Sequence, residues 1–361
     1  MRVLIAGGGT GGHVFPGLAI AEEFQERDRD VRILFVGTRK GQESQIIPRE
    51  GFPIEFITAE GLMGRGLVNG FIAMVKLGAG ILKSLKIVRA FRADLAIGVG
   101  GYASFPLIVA ARLLRVKSII QEQNTIPGIT NRILGKWVDK VFIAFDQTRS
   151  YFPAGKCVMS GNPVRKRLRE RGPGHKGAKF AILVTGGSRG AHELNQAMIE
   201  ALDYLHEMRG SLKVIHQTGE KDYPDISEAY QKRGVEAEVY PFISDMERVY
   251  ASAHVVICRS GALTLAELMM FHKASILIPY PFAANRHQEL NARELVSKKA
   301  ARMIMSSDLN GQLLAREIID LFQHPAAIEE MEKKAAELSR PDAAKEIVDV
   351  CYQMVCGGAG V

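Results

Sequence analysis

Residues 3–13 read VLIAGGGTGGH, an apolar run that leads through five glycines to a histidine. A short apolar run that ends in glycines and precedes a helical pattern is typical of the first strand, turn and helix of a parallel α/β domain. Gly7, Gly9 and Gly12 fit the spacing G-x-G-x-x-G, in which the missing side chains let the backbone approach a phosphate group. The stretch predicts either a phosphate-binding loop or a tight strand–helix turn.

A dinucleotide-binding domain also needs an acidic residue at the end of its second strand, where it binds a ribose. The second apolar run, at residues 31–36, is followed by Gly37-Thr38-Arg39 and ends without an acid. The sequence therefore disfavours an NAD-dependent dehydrogenase.

The order of apolar strand, glycine loop and helix recurs twice more along the chain. The loop GVGGYAS at residues 98–104 follows one apolar run, and GGSRGA at residues 186–191 follows another. Residues 165–179 are basic and glycine-rich and are interpreted as a linker. Alternating strands and helices predict an α/β fold with two doubly wound, Rossmann-like parallel-sheet domains that face a cleft, with ligands at the carboxyl ends of the strands.

The length of 361 residues agrees with two domains, which we expect at residues 1–161 and 162–340. A last helix, within residues 341–361, is predicted to pack back on the first domain. The hydrophobic fraction of 47% and the charged fraction of 24% exclude a disordered chain, a collagen, a coiled coil and a polytopic membrane protein.

The net charge of +8 favours an anionic partner, which on composition alone is a nucleotide, a nucleic acid or an acidic lipid surface.

The first strand starts at Val3, so we expect no signal peptide. The four cysteines lack the CxxC spacing of zinc sites and predict reduced thiols in a cytosolic protein: Cys157, Cys258, Cys351 and Cys356.

Residues 260–267, SGALTLAE, follow the apolar run at residues 255–258. Ser260 is predicted to be the N-cap of a helix whose small first-turn residues let a diphosphate approach, and Glu267 lies two turns further on, where it can accept hydrogen bonds from ribose hydroxyls. Gln288 and Asn291 share one helix face, and two amides there suit the hydroxyls of a sugar or are ordinary surface residues.

These segments carry a family resemblance, in the order GGGTGGH, GVGGYAS, QEQN, GNPVR, GGSRGA, FISDM, RSGALTLAE and HQELNA. Over about residues 1–300 the chain resembles the MurG family of bacterial peptidoglycan N-acetylglucosaminyltransferases. The resemblance implies a GT-B fold and the transfer of GlcNAc from UDP-GlcNAc to the C4 hydroxyl of MurNAc in lipid I (undecaprenyl-diphosphoryl-MurNAc-pentapeptide), which gives lipid II. It implies no cofactor.

The resemblance also assigns residues to the two substrates. It places uracil on the backbone of Ile243, ribose on Glu267, and GlcNAc on Gln288 and Asn291. The acceptor diphosphate would be received by Gly8, Gly9, Gly100, Gly101 and Tyr102. The implied donor contacts are Thr10, Gly11, Gly12, Asn124, Arg165, Ser188, Ile243, Ala262, Leu263, Thr264, Leu265, Ala266, Glu267, Gln288 and Asn291.

The chain departs from the family pattern at two positions. Gln121 stands where the family often has His, and Asn285 stands where it often has Asp. Both departures leave the implied donor contacts unchanged and concern the acceptor side.

Transfer from an α-linked donor to a β-linked product requires a base for the acceptor proton and stabilisation of the charge that develops on UDP. His13 is the first candidate base, with contact to acceptor phosphate as its alternative role. Glu122 is the second candidate, with a structural carboxylate as the alternative. Asp28-Arg29-Asp30 is the only Asp-x-Asp run and lies away from the strand ends, so we predict metal-independent chemistry supported by Arg165 and the helix after Ser260.

Residues 71–77 and 80–92 combine apolar bulk with lysines and arginines, and the run is too short and too charged to span a bilayer. It predicts an interfacial patch for anionic lipid, or a partly buried helix with lysines that reach the surface. We therefore expect a peripheral protein on the cytoplasmic face of the cell membrane. The other predicted partners are UDP-GlcNAc, lipid I, and cell-wall and division proteins; no nucleic acid is expected.

Two further interpretations compete with the transferase. A UDP-GlcNAc 2-epimerase shares the fold and the donor, but it would need acid and base groups around C2 and C3 of the donor and no membrane-facing segment. A non-catalytic subunit would bind UDP-GlcNAc without turnover. The apolar and basic run at residues 71–92 argues against the epimerase.

Overall fold

A computed structural model describes residues 1–9, 11–59, 67–171, 174 and 177–357, and for residues 67–74 it describes the backbone alone. The chain divides into two compact units. Unit 1 comprises Met1–Lys166 together with the segment from Pro341 onward, and unit 2 comprises Arg167–Arg340.

Each unit contains one parallel β-sheet in the described part of the chain. Unit 1 has seven strands in the order β3-β2-β1-β4-β5-β6-β7, and unit 2 has six in the order β10-β9-β8-β11-β12-β13. The strands are β1 (Arg2–Ala6), β2 (Arg32–Gly37), β3 (Ile54–Phe56), β4 (Leu95–Gly98), β5 (Lys117–Glu122), β6 (Lys140–Ile143), β7 (Cys157–Met159), β8 (Phe180–Thr185), β9 (Leu212–Gln217), β10 (Ala237–Tyr240), β11 (Val255–Cys258), β12 (Ala274–Leu277) and β13 (Arg302–Met303).

Helices connect the strands, as parallel pairing requires. Short 3₁₀ helices cover Asp146–Tyr151, His206–Met208 and Ala284–Arg286. The α-helices are α1 (Gly11–Arg27), α2 (Glu43–Arg49), α3 (Leu67–Phe91), α4 (Ser104–Leu113), α5 (Ile129–Leu134), α6 (Lys166–Arg171), α7 (His192–Ala201), α8 (Tyr223–Arg233), α9 (Met246–Ser252), α10 (Ala262–Met270), α11 (His287–Ser297), α12 (Gly311–Gln323), α13 (Pro325–Leu338) and α14 (Ala343–Cys356).

The prediction of two doubly wound parallel sheets is confirmed. In unit 1 the strand order reverses between β1 and β4, where Ala6 pairs with Gly98 at the carboxyl ends. In unit 2 it reverses between β8 and β11, where Thr185 pairs with Cys258. Open α/β sheets bind ligands at such switch points, and all four adjacent loops are glycine loops of the sequence or the SGALTLAE segment.

The inner strands are rich in apolar residues because helices cover both faces of each sheet. Val3 and Ile5 of β1 are completely buried on one face, and Leu4 is completely buried on the other. Within the described residues, no helix combines the length and the hydropathy needed to cross a bilayer.

Helix α14 packs against unit 1 although it follows unit 2 in the chain. Its apolar side buries Ile347, Val348 and Cys351 in the same cluster as Phe24 of α1. The ring of Tyr352 lies 5.8 Å from the ring of Phe24 and accepts the Arg27 guanidinium over its face. This helix therefore completes the core on one face of the first sheet.

Candidate functional site

Two glycine loops of unit 1 meet at the carboxyl ends of β1 and β4. Gly101 has a φ of +78°, and a Cβ atom there would lie 2.2 Å from the carbonyl oxygen of Gly8. No side chain fits between the loops, so glycine is required by both conformation and space. The structure thus brings together Gly8, Gly100 and Gly101 of the implied acceptor loops, with the exposed Tyr102 beside them. Thr10 lies outside the described residues.

Glu43, at the start of α2, is a site residue that the sequence did not reveal. Its buried carboxylate accepts hydrogen bonds from the backbone N–H of Gly9 (2.8 Å), the backbone N–H of Thr38 (2.9 Å) and the Thr38 hydroxyl (2.8 Å). The acid that is absent from the end of β2 is therefore supplied six positions later, and it is turned toward the first glycine loop. An inward acid that is already hydrogen-bonded is poorly placed to bind a dinucleotide ribose.

Glu122 is a buried carboxylate that holds its own loop. It accepts hydrogen bonds from the backbone N–H of Asn124 (3.0 Å), the side chain of Asn131 (2.9 Å) and the backbone N–H of Gly128 (3.3 Å). Burial raises the pKa of Glu122, and these hydrogen bonds oppose that shift because they stabilise the charged form. The contacts fit the structural role, and Asn124 is positioned by them.

His13 occupies the first turn of α1, and its Nδ1 lies 3.1 Å from Oε1 of Gln123. Gly11 and Gly12 are the first two residues of that helix. The candidate base therefore lies at a helix N-terminus, beside both glycine loops of unit 1. Positive potential at this position favours an anionic ligand.

Arg165 is positioned in unit 1 by acidic partners. Its guanidinium lies 2.7 Å from a carboxylate oxygen of Glu50 and 3.6 Å from one of Glu22, and it stands over the ring of Phe15. Both carboxylates reduce the positive potential that this arginine offers to a donor diphosphate.

In unit 2 the glycine loop after β8 contacts the loop after β9. Gly190 has a φ of +73°, and a Cβ atom there would lie 1.8 Å from the carbonyl oxygen of Thr218. Gln217 joins this loop to the FISDM segment, since its amide donates to the carbonyl oxygen of Gly187 (2.9 Å) and accepts from the backbone N–H of Ile243 (2.8 Å). The N–H of Ile243 is thus engaged by Gln217, and Ser188 is exposed at the tip of the loop.

Helix α10 starts at the switch point of unit 2. The predicted N-cap is wrong, because Gly261 occupies that position and the hydroxyl of Ser260 donates to the carbonyl oxygen of Gln288 (2.8 Å). Among the described residues, no side chain caps the helix. Its first turn therefore brings backbone N–H groups, such as those of Leu263 and Thr264, and the positive end of the helix dipole to the strand ends.

Glu267 is oriented by a second residue that the sequence did not reveal, Tyr250. The Tyr250 hydroxyl donates to Oε2 of Glu267 at 3.0 Å. Burial, reinforced by the charge of Glu267, raises the pKa of Tyr250 well above its usual value, so the phenol remains a donor. Leu265 and Ala266 are buried on the core side of the same helix.

Gln288 and Asn291 have different environments although they share one face of α11. Asn291 is fully buried, and its amide donates to the carbonyl oxygen of Ser260 (3.5 Å). Gln288 is half-buried and accepts a hydrogen bond from the backbone N–H of Tyr280 (3.0 Å). Asn291 therefore supports the loop before α10, and Gln288 is the amide of the pair that remains accessible.

Asp28 and Asp30 lie in the connection before β2, at the opposite end of the sheet from the glycine loops. Asp28 accepts hydrogen bonds from the Tyr352 hydroxyl (3.3 Å) and from the backbone N–H of Asp30 (2.9 Å). In the part of the chain that the structure describes, no group of three or more His, Cys, Asp or Glu side chains could hold a metal ion.

Two models of one enzyme family match the chain. The model described as the glycosyltransferase family 28 N-terminal domain matches residues 3–143, and the model described as the glycosyltransferase family 28 C-terminal domain matches residues 181–347. The first match runs through β1 to β6, and the second begins in β8.

Several curated relatives are similar over almost their whole length. A Syntrophus aciditrophicus protein named UDP-N-acetylglucosamine–N-acetylmuramyl-(pentapeptide) pyrophosphoryl-undecaprenol N-acetylglucosamine transferase is 47% identical, covering 98% of this chain and 99% of its own. A Myxococcus xanthus protein of the same name is 46% identical, covering 98% of this chain and 93% of its own.

Solved structures extend the comparison. The crystal structure of MurG from Acinetobacter baumannii has a TM-score of 0.80 and 30% identity, covering 97% of this chain and 98% of that one. A UDP-GlcNAc 2-epimerase from Neisseria meningitidis has a TM-score of 0.67 at 13% identity, so that likeness shows the fold alone. With both domain models matched and relatives of this identity along nearly its full length, the chain belongs to glycosyltransferase family 28, in the group that contains the MurG enzymes.

Proposed function

We propose that this protein transfers GlcNAc from UDP-GlcNAc to the C4 hydroxyl of MurNAc in lipid I, with inversion at the anomeric carbon, and so produces lipid II for peptidoglycan synthesis. The observation that carries the proposal is the identity of 46–47% to transferases named for this reaction, over 98% of the chain. Four of the eight motifs that carry the resemblance, GGGTGGH, GVGGYAS, GGSRGA and RSGALTLAE, fall on the loops at the two switch points, where α/β sheets bind ligands.

The donor binds at the carboxyl end of the second sheet. Its diphosphate lies against the first turn of α10 and the loop of Ser188, where backbone N–H groups and the helix dipole stabilise the charge that develops on UDP. Glu267 accepts hydrogen bonds from the ribose hydroxyls, and Gln288 contacts the sugar. The arrangement around Tyr250, Glu267 and Ser260 supports these roles because it holds each group in one orientation.

The acceptor diphosphate binds the glycine loops of unit 1. Gly9 is exposed, with open space where a Cβ atom would stand, so a phosphate can approach the backbone there, and His13 takes the proton from the attacking hydroxyl. This proton transfer and the helix dipoles suffice for a single in-line displacement, so the reaction is predicted to proceed without a metal ion.

The lipid tail of the acceptor requires contact with a membrane, and α3 offers a surface for it. Val75 and Leu82 are 58% and 64% exposed, and Lys86 and Arg89 are exposed on the same stripe of the helix. Ile87 lies on the buried side, so the helix is both part of the core and a basic, apolar surface. We propose that this stripe binds the anionic inner leaflet. Contacts with cell-wall and division proteins stay a prediction.

The experiment that tests the proposal follows every product of UDP-GlcNAc with and without an acceptor. Incubation with a short-chain lipid I analogue should release UDP and form an equal amount of disaccharide with a β linkage, and omission of the acceptor should suppress both. UDP release together with ManNAc formation in the absence of acceptor would instead identify a 2-epimerase. Binding of UDP-GlcNAc without turnover would identify a non-catalytic subunit.

A further inference from the structure

Three buried amides lie beside His13, and no residue of this group is among the contacts already assigned to substrates. Gln121, Gln123 and Asn162, which we call the amide cluster, are all at most 5% exposed. Polar groups buried this deeply have to find their hydrogen-bond partners within the protein, so their orientations are fixed by the partners available.

The orientation of the Gln123 amide follows from two backbone carbonyl groups. Its nitrogen lies 2.8 Å from the carbonyl oxygen of Val99 and 3.3 Å from that of Gln121. Carbonyl oxygens only accept hydrogen bonds, so the side facing them has to be the NH₂ group. Oε1 of Gln123 therefore faces His13 and accepts a hydrogen bond, and Nδ1 of His13, at 3.1 Å, has to carry the proton.

Asn162 and Gln121 enforce the same orientation from the other side. The Asn162 amide nitrogen donates to the carbonyl oxygen of Gln123 at 3.1 Å, so Oδ1 of Asn162 accepts from the amide of Gln121 at 2.9 Å. Oε1 of Gln121 is then left to accept from the Gln123 amide. A flip of the Gln123 amide would oppose its oxygen to carbonyl oxygens in a buried site, which strongly disfavours it.

We propose that the amide cluster is a set of positioning residues that holds His13 in the Nδ1–H tautomer. The lone pair of the imidazole then sits on Nε2, the nitrogen that takes the proton of the acceptor hydroxyl. The catalytic role of this tautomer rests on the proposed function, whereas the tautomer itself follows from the hydrogen bonds alone.

Gln121 makes the hydrogen-bond orientation of the amide cluster insensitive to pH in this chain. A histidine at this position, which the family often has, can donate or accept depending on its own tautomer and protonation state. A glutamine amide presents one fixed donor and one fixed acceptor at every working pH. The cluster of this chain therefore holds its orientation independently of pH.

The test measures the His13 tautomer directly in the full-length protein without substrates. Protein labelled with ¹⁵N-histidine gives separate Nδ1 and Nε2 signals, and His13→Gln identifies those of His13. We expect the Nδ1–H pattern in the wild type. In Gln123→Leu the pattern should change to Nε2–H, because the acceptor for the Nδ1 proton is gone. Gln147→Leu, at an exposed glutamine of the same unit, should leave it unchanged.

Kinetics with lipid I complete the test. Gln123→Leu should lower kcat by about tenfold to a hundredfold, within the usual contribution of a general base, and change acceptor KM and donor Kd less than threefold. An Nε2–H pattern in the wild type, or an Nδ1–H pattern that persists in Gln123→Leu, would overturn the inference without any variant having to be active. A normal rate in His13→Gln would show that His13 is not the base. If the wild type shows the expected tautomer but transfers no GlcNAc, the proposed function is wrong, and the positioning of His13 by the amide cluster stays supported.

Discussion

Tyr250 and Glu267 form the best-defined residue pair of the second unit's candidate site. The phenol lies in the core between α9 and α10 and reaches a carboxylate that the family resemblance assigns to ribose. A carboxylate with one oxygen held in place loses less freedom when it binds hydroxyl groups, so the tyrosine contributes to affinity through its neighbour.

Removal of this hydroxyl should weaken donor binding. In Tyr250→Phe, we expect the Kd of UDP to rise about threefold to tenfold, because a hydrogen bond to a charged group is lost while the ring still fills the core. Glu267→Ala should raise the Kd further. Calorimetric titration with UDP measures both, with Tyr204→Phe as the control at an exposed tyrosine of the same unit. An unchanged Kd in Glu267→Ala would remove this helix from the donor site.

His216 is a second residue whose environment predicts a measurable property. It is fully buried beneath the glycine loop of unit 2, where the Tyr230 hydroxyl lies 2.9 Å from Nδ1 and Oδ1 of Asn195 lies 3.0 Å from Nε2. Burial penalises the charged imidazolium and lowers the pKa of His216 from 6.5 to about 3. The folded protein therefore keeps this ring neutral under conditions in which an unfolded chain protonates it.

This depressed pKa predicts a loss of stability as pH falls. Between pH 6.5 and 3 the unfolded state binds a proton that the folded state does not, so the free energy of unfolding decreases by about 2 kcal/mol from pH 7 to pH 5 through this residue alone. Urea unfolding followed by circular dichroism should show that His216→Gln lacks this part of the pH dependence.

The exposed His206 provides the control, since His206→Gln should keep the wild-type pH dependence. Equal pH slopes in His216→Gln and the wild type would contradict the assignment of a neutral, buried ring.

At the level of elements, the exposed side of α3 carries the proposed membrane contact. Replacement of Lys86 and Arg89 by Glu reverses two charges on the stripe with Val75 and Leu82. Each basic residue near an anionic surface contributes about 1 kcal/mol, so we expect binding to anionic vesicles to fall more than tenfold. Co-sedimentation measures this, and binding to zwitterionic vesicles should change little.

A matched double variant in unit 2 separates local from general charge effects. Lys221→Glu with Lys298→Glu produces the same change in net charge at two exposed positions. If this pair reduces vesicle binding as much as the α3 pair does, the membrane contact is a property of net charge and the proposed stripe is wrong.

Helix α14 is the last helix of the described chain, and it packs on unit 1. Ile347 is completely buried against the first sheet, so Ile347→Ala should lower the free energy of unfolding of unit 1 by about 2–5 kcal/mol. The single tryptophan, Trp137, belongs to unit 1 and reports its unfolding by fluorescence. Lys345→Ala, at an exposed position of the same helix, is the control, and an unchanged fluorescence transition in Ile347→Ala would contradict this packing.

For the molecule as a whole, the sequence predicts the sheets and loops well because the signals are local. An apolar run, glycines and a helical pattern lie next to one another in the chain, and their repetition predicts two doubly wound sheets with ligands at the carboxyl ends of the strands. The directions of individual side chains depend on contacts distant in sequence. Asn291 is directed at Ser260, 31 positions away, and Glu43 reaches Gly9, 34 positions away.

The prediction of the N-cap is wrong for the same reason, a side-chain contact that is distant in sequence. Ser260 is a good capping residue, yet its hydroxyl bonds to the carbonyl oxygen of Gln288 in another helix, and Gly261 takes the cap position. The sequence does not indicate the role of Tyr250, because a tyrosine in an amphipathic helix is indistinguishable by sequence from any other core aromatic residue.

The most direct test of the proposed reaction is transfer of radiolabelled GlcNAc from UDP-GlcNAc to purified lipid I in detergent, with EDTA in excess. We expect a lipid-linked disaccharide with a β linkage, formed at the same rate with and without the chelator. Absence of a lipid product, with UDP released or ManNAc formed when no acceptor is present, would contradict it.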